Sequence, residues 1–339
     1  MTRLTMTVAT ERLRLAQPFH ISGYVFEHSD VVVVTLSDGT YQGRGEGGGV
    51  YFLGDDVAHM TSQLASARSA IEASPTREEL RQILPPGGAR NAVDGALWEL
   101  EAARSDRPVW QLAGLSAEPT PLRTTYTLGA DTPEAMAQGA VNYADARAIK
   151  IKLTGDLPLD MARVEAIHAA RPDAWLSVDG NQGFTIDQLD PLVTTLRAAG
   201  VALLEQPLAR TRDADLEGYK CPIPVAGDES IVSLADVAGA VGRFNVINIK
   251  LDKCGGLTEG LLMAAEARRL GLGVMVGNMV GSSLAMAPAF VLGQFCDIVD
   301  LDSPIFLAQD RTPGAVYRDG DIHVGSDVWG TRAAAMAAG

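Results

Sequence analysis

The hydrophobic rhythm of the chain divides it into two parts near Pro121. Upstream, apolar and polar positions first alternate with a period of two, as in a strand with one buried face. Residues 5–15 alternate loosely, and SDVVVVTLSDGTYQGRGE supplies a β-branched strand, an Asp38-Gly39 turn and a returning strand. Residues 1 to about 45 are therefore predicted to be antiparallel β. Between these strands, residues 17–28 (QPFHISGYVFEH) read as a loop carrying aromatics, and such loops often contact ligands. The period then lengthens to that of helices over residues 55–73, 76–84 and 89–105, the last with Ala92, Ala96 and Ala103 in an apolar core stripe.

Downstream of Pro121, short apolar runs alternate with amphipathic helical segments. The strands predicted are 122–128, 148–153, 175–179, 202–205, 224–228, 246–251, 273–276 and 297–301. Eight parallel strands with crossover helices fit a closed (β/α) barrel better than an open doubly wound sheet, which would more often show a Gly-rich phosphate turn after its first strand. The glycines of KCGGLTEG lack the Lys-Ser/Thr of a phosphate loop and read as a tight turn into a helix. After Pro304 the alternation stops, and VYRDGDIHVGSDVWG reads as a hairpin or extended tail lying back on the N-terminal unit. The predicted organisation is an α+β capping domain over residues 1–120, completed by 310–339, and an α/β barrel over 121–309.

Composition narrows the class of protein without naming a chemistry. With 339 residues, 47% hydrophobic and 21% charged, the chain has an ordinary globular make-up. A net charge of −14 with no Lys/Arg cluster disfavours nucleic acid and anionic membrane surfaces as partners. Cys221, Cys254 and Cys296 are odd in number, far apart and without a CxxC, as expected of reduced thiols in a cytoplasmic protein. No charged-then-apolar leader opens the chain, and no apolar run reaches the ~18 residues of a membrane span.

The candidate chemistry lies where charges end apolar strands. Lys150 and Lys152 share a face of one strand; Asp179, Glu205, Asp228 and Lys250 each end another. Charged groups at the tips of buried strands are costly unless paired or bound to metal, so six of them on successive strands suggest one site. Three carboxylates with Asn181 nearby, and no His or Cys, favour Mg²⁺. The bland alternative is salt bridging to the lysines, which leaves Glu205 and Asp228 crowding Asp179. Lys152 and Lys250, on strands two and six of eight, would flank a substrate from opposite sides. The ammonium of Lys150 and a metal would lower the pKa of Lys152 toward that of a general base for a proton α to a carboxylate. Two opposed bases imply removal on one face and return on the other.

As a set, KIK, VDGN, LEQP, GDES and NIKLDKCGG at these spacings resemble the enolase superfamily, specifically its muconate-lactonizing subgroup, over nearly the whole chain. The resemblance implies a modified (β/α)7β barrel with an N-terminal capping domain, Mg²⁺ held by Asp179, Glu205 and Asp228, acid/base lysines at 152 and 250, Lys150 as electrostatic helper, and Glu229 and Asn181 behind the ligands. Gly277-Asn278 stand where the mandelate-racemase-like branch has a histidine, which disfavours that branch and leaves Asn278 on the substrate side. The end of strand eight, VDLDSP, places Asp300 and Asp302 on one face, able together to grip an ammonium group. This D-x-D is similar to that of dipeptide epimerases and implies inversion of the α-carbon of a dipeptide's C-terminal residue through a metal-stabilised enediolate. N-acylamino acid racemases and succinylbenzoate synthases or cycloisomerase-type lyases of the subgroup are the alternatives, as is a binding barrel without catalysis. Phe19, Tyr24 and Phe26 would face the substrate from the capping loop, which has no arginine between residues 19 and 28, where dipeptide epimerases acting on Ala-Glu commonly carry one. Tyr24, Val25 and Phe26 suit an apolar side chain there and Glu27 a cationic one. Asp252 is expected either to partner Lys250 or to satisfy a charge in the barrel interior. The resemblance allows a homo-oligomer, and no exposed stripe of the sequence selects one.

Overall fold

A computed structural model describes residues 3–21 and 24–330. The N-terminal unit is a three-stranded antiparallel sheet of β1 (Thr5–Ile21), β2 (Tyr24–Ser37) and β3 (Gln42–Gly48), backed by α1 (Val57–Glu72), α2 (Arg77–Ile83) and α3 (Gly88–Ser105). A short 3-10 turn, Tyr51–Leu53, and α4 (Val109–Leu112) flank this layer. Thr76 caps α2 through a reciprocal box with Glu79, which satisfies two otherwise orphaned amides. The face of β3 that meets α3 is built from glycines. A Cβ at Gly43, Gly45 or Gly47 would lie 2.1 Å from the carbonyl oxygen of Ala96, Ala92 or Gly88 respectively, so strand and helix backbones touch directly.

Residues 17–21 and 24–28 are strand rather than loop. β1 runs on to Ile21 and β2 begins at Tyr24, pairing Phe19 with Phe26 after a register shift between Arg14 and Phe19. The irregularity, together with Pro18 and Gly23, breaks the apolar-polar alternation by which a strand is recognised. Ser22 and Gly23 lie outside the described residues.

The second unit is an eight-stranded parallel sheet, ordered in sequence from β5 to β12: β5 (Tyr126–Leu128), β6 (Ala148–Lys152), β7 (Trp175–Asp179), β8 (Val201–Glu205), β9 (Val225–Gly227), β10 (Val246–Lys250), β11 (Gly273–Gly277) and β12 (Ile298–Val299). The sheet curls until its edges meet: Thr125 N–H donates to the Val299 carbonyl at 3.1 Å, and Leu301 N–H to Thr124 Oγ1 at 2.8 Å. The outer layer comprises α5 (Pro133–Asn142), α6 (Leu157–Ala170), α7 (Ile186–Ala198), α8 (Leu234–Val237), α9 (Leu251–Cys254), α10 (Leu257–Arg269) and α11 (Ser283–Gly293), with a 3-10 segment, Arg210–Leu216, between β8 and β9. This is the modified (β/α)7β barrel. The 122–128 run is two strands: β4 (Leu122–Arg123) leaves the barrel to pair with β14 (Asp321–His323), which pairs in turn with β13 (Val316–Arg318).

The C-terminal segment thus forms a hairpin on β4, and other parts of it reach the N-terminal unit. Arg311 pairs with Glu46 and Glu11, and the Trp329 indole donates to the Arg44 carbonyl at 2.9 Å. Residues 331–339 lie outside the described residues. Among the described residues, no helix is long and apolar enough to cross a membrane.

Candidate active site

Parallel strands of a barrel end together, so the last side chain of each projects over the same mouth. β6 contributes Lys150 and Lys152, β7 Asp179, β8 Glu205, β10 Lys250, and Asp228 follows β9 directly. The structure brings all six into one buried cluster. Lys152 Nζ donates to Asp179 Oδ2 at 2.6 Å and Lys250 Nζ to Asp228 Oδ2 at 2.6 Å. Lys150 Nζ lies 2.8 Å from both Glu205 Oε2 and Asp300 Oδ2, and 3.3 Å from Asp179 Oδ2.

Asp179, Glu205 and Asp228 each offer a carboxylate oxygen within 4.8 Å of the others, and all three are buried. Burial and the neighbouring Asp179 charge push Glu205 up to about 8. Burial also works against Asp228, but Lys250 and Lys253 outweigh it and hold its carboxyl below the ordinary range. Three buried carboxylates this close, with hard oxygen donors, fit a divalent cation of the Mg²⁺ type. Asn181 Oδ1 and Glu229 Oε2 are further buried oxygens that accept no hydrogen bond. Asn181 sits at φ +42°, a left-handed turn that lets its N–H donate to Asp179 Oδ1 at 2.9 Å. Its side chain donates to Glu229 Oε1 at 3.4 Å, and burial with the Asp228 charge raises Glu229 to about 7.

The carboxylates set the charge state of Lys150 and Lys250. Burial opposes the Lys150 ammonium, but Asp300, Glu205 and Asp179 prevail and raise its pKa. Lys250 is raised in the same way, chiefly by Asp228 against its burial.

Above the cluster lies a cavity of about 130 Å³ with Lys152 and Lys250 in its walls, together with Asn181, Asp228, Glu229 and Asn278. Its roof is aromatic: Phe19 and Phe26 from the hairpin arm, and Tyr51 and Phe52 from the turn after β3. Asn278 also donates to the Asp300 carbonyl at 2.6 Å. Tyr24 does not line the cavity. It is 46% exposed and packs outside, with its ring 4.5 Å from Tyr51 and 6.1 Å from Phe26.

Asp300 and Asp302 are not one open face, because β12 ends at Val299 and strand alternation stops there. Asp300 accepts from Lys150 and the Thr125 hydroxyl, whereas Asp302 accepts from Thr127 N–H at 2.6 Å. Burial and the Asp300 charge raise Asp302 to about 7. Thr127 lines a second cavity of about 410 Å³, which meets the first at Phe19.

Asp252 takes neither expected role. It belongs to α9 and accepts from Gly48 N–H and Asn91 Nδ2, both at 2.8 Å, so it joins the barrel to β3 and α3. Three residues that the sequence did not single out support the metal-site strands, two on the carboxylates and one on the backbone. Asn248 donates to Glu205 Oε1 at 2.9 Å, and Lys253 reaches Asp228 Oδ1 at 2.5 Å. Gln206 accepts from Asp228 N–H at 2.9 Å. The period-two spacing of Asn248 and Lys250 on one strand carried a signal for the first. Lys253 lies in the single-turn helix α9 and Gln206 in the loop after β8, segments too short for a periodicity to mark the inward side.

Comparison with known proteins agrees with this architecture. The enolase C-terminal domain-like family model matches residues 134–327, and that of the mandelate racemase / muconate lactonizing enzyme N-terminal domain matches residues 3–114. The chain is 38% identical over 322 residues to an L-Ala-D/L-Glu epimerase of Escherichia coli K12, covering 94% of this chain and 99% of that one. It is 37% identical over 305 residues to an N-acetyl-D-glutamate racemase of a Pseudoalteromonas species, covering 88% and 95%. A solved enolase family member from Agrobacterium tumefaciens, with homology to dipeptide epimerases and with sodium and L-Ala-L-Glu bound, is similar at a TM-score of 0.93 and 40% identity, covering 96% of this chain and 100% of that one. With its N-terminal sheet unit and its carboxylate-tipped barrel both matched, the chain belongs to the mandelate racemase / muconate lactonizing enzyme family of the enolase superfamily.

Proposed function

We propose that this protein is a Mg²⁺-dependent dipeptide epimerase that inverts the α-carbon of the C-terminal residue. The observation that carries the reading is the pair of lysines, Lys152 and Lys250, in one cavity wall set, each anchored on a different member of the carboxylate cluster. Asp179, Glu205 and Asp228 would hold the metal, which when bound supplies positive charge to the substrate carboxylate as the α-carbon loses its proton. One lysine takes that proton from its side of the α-carbon, and the other, as an ammonium, returns one from the opposite side. Lys150 stays charged among its carboxylates and adds to the field that favours a developing anion. The L-Ala-D/L-Glu epimerase and the Agrobacterium structure above, with a Methylococcus capsulatus dipeptide epimerase that has Mg and L-Arg-D-Lys bound, support the substrate class, whereas the N-acetyl-D-glutamate racemase supports the second reading below.

We assign residues 1–120 with the C-terminal segment from 310 to the capping unit and 121–309 to the barrel, the first shaping the cavity and the second supplying the reacting groups. Asp302, with Asp300, forms the acidic end that would meet the substrate's free amino group. A second reading, racemisation of an N-acylamino acid, is favoured by the engagement of Asp300 with Lys150, which leaves Asp302 as the carboxylate not committed to a cation.

Incubation with Mg²⁺ in D₂O against L,L-dipeptides and N-acetyl-L-amino acids separates the two. Deuterium at the α-carbon with appearance of the L,D-dipeptide supports the first reading. Turnover confined to the N-acetyl compounds supports the second, and loss of mass from any substrate would instead indicate a lyase.

A further inference from the structure

We infer that the epimerised residue carries an apolar side chain, aliphatic or aromatic, rather than a carboxylate or an ammonium group. This rests on the dipeptide reading and deepens it. The hairpin arm alternates as a strand, which sets Phe26 on the opposite face from Val25 and Glu27. Phe19 and Phe26 line the cavity, Val25 is 58% exposed, and Glu27 is exposed as well. The acidic residue of the arm therefore points away from the site. Tyr51, Phe52, Met279 and Val280 complete a wall of aromatic and aliphatic surface beside the two lysines.

The cationic lining residues are already committed. Lys152 and Lys250 are held by Asp179 and Asp228 and are the acid and base of the proposed reaction, so neither is free to pair with a substrate side chain. No arginine lines this cavity among the described residues, and the guanidinium of Arg210 lies 5.6 Å from the Phe52 ring outside the lining. A glutamate side chain would bring its charge against aromatic rings and Glu229 with no counter-ion, which is costly in a buried site. A lysine side chain would bring a third ammonium into a cavity already lined by Lys152 and Lys250. An apolar side chain gains in proportion to the surface it buries.

The experiment measures kcat/KM for L-Ala-L-Leu, L-Ala-L-Phe, L-Ala-L-Glu and L-Ala-L-Lys with the Mg²⁺-loaded enzyme. The apolar pair is expected to exceed both charged substrates by about 100-fold, in line with the discrimination that an unpaired polar group imposes on a fitted pocket. In Phe26→Ala the loss should fall on KM for L-Ala-L-Phe, about tenfold, with kcat little changed. Phe26→Arg should move the preference toward L-Ala-L-Glu. Preference of the wild type for the Glu or Lys substrate overturns the inference while leaving the epimerase reading intact. Absence of α-proton exchange with every dipeptide overturns both.

Discussion

At the scale of single residues, the two lysines carry the strongest claim. Each forms one contact with the carboxylate cluster, so each can be removed without disturbing the other's anchor. Lys152→Ala and Lys250→Ala should each lower epimerisation by about 10³-fold or more, the scale expected when a general acid or base is lost. The readout that distinguishes acid–base work from a structural role is asymmetric exchange in D₂O. One variant should still exchange the α-proton of the L,L-isomer without inverting it, and the other that of the L,D-isomer. Equal loss of exchange with both isomers in both variants would refute opposed bases. The lysines were legible in the sequence because alternation on a short strand fixes which side chains share a face. Asp252 was misread for the complementary reason. It follows Lys250 by two, but the strand ends at Lys250 and a helix turn begins, so the shared face no longer exists.

At the scale of elements, the contact of β3 with α3 leaves no room for a side chain. Alternate glycines let helix carbonyls approach the strand backbone, where no side chain fits. Neither backbone can move readily, since β3 pairs along its full length with β2 and α3 is buried almost throughout. Gly45→Ala should therefore destabilise by about 2–3 kcal/mol through overpacking. Urea unfolding checks this, with Gly39→Ala as a control: a Cβ at Gly39 meets open space, and its positive φ should bring only a smaller strain cost. A Gly45→Ala change below the control would show that the layers separate easily. The glycines were visible in QGRGEGGG, but the sequence does not say which helix lies over them. The hairpin arm shows the same gap from the other side. Its aromatics could be read as ligand-facing, yet the register shift hid the pairing that sets Phe19 beside Phe26 at the cavity, with Tyr24 on the face of Phe26 but two residues further along the arm, beyond the lining.

At the scale of the whole molecule, two buried carboxylates stitch the capping unit to the barrel. Asp252 accepts from Gly48 and Asn91, and Asp94 of α3 accepts from the Thr258 hydroxyl and from its N–H at 3.1 Å. Burial raises both to about 6, although their hydrogen bonds pull the other way. Arg77 and Arg90 also favour the ionised form of Asp94 without overcoming that burial. The sign of the linkage follows from the direction of these shifts. A carboxyl raised in the folded state binds its proton more tightly there than in the unfolded chain. Its contribution is greatest below the unfolded value of about 3.9 and declines as pH rises, levelling off above about 6. The junction should therefore be tighter at pH 5 than at pH 7.5. Asp94→Asn keeps a side chain of the same shape and removes the titration. Between pH 5 and 7.5 the wild type should lose about 1 kcal/mol relative to this variant, measured by urea unfolding in matched ionic strength. An unchanged difference would mean that Asp94 is ionised throughout the range, with Arg77 and Arg90 compensating its burial. Because the cavity takes its aromatic roof from one unit and its lysines from the other, loosening of this junction should also appear as a rise in KM across the same pH interval, smaller in Asp94→Asn than in the wild type.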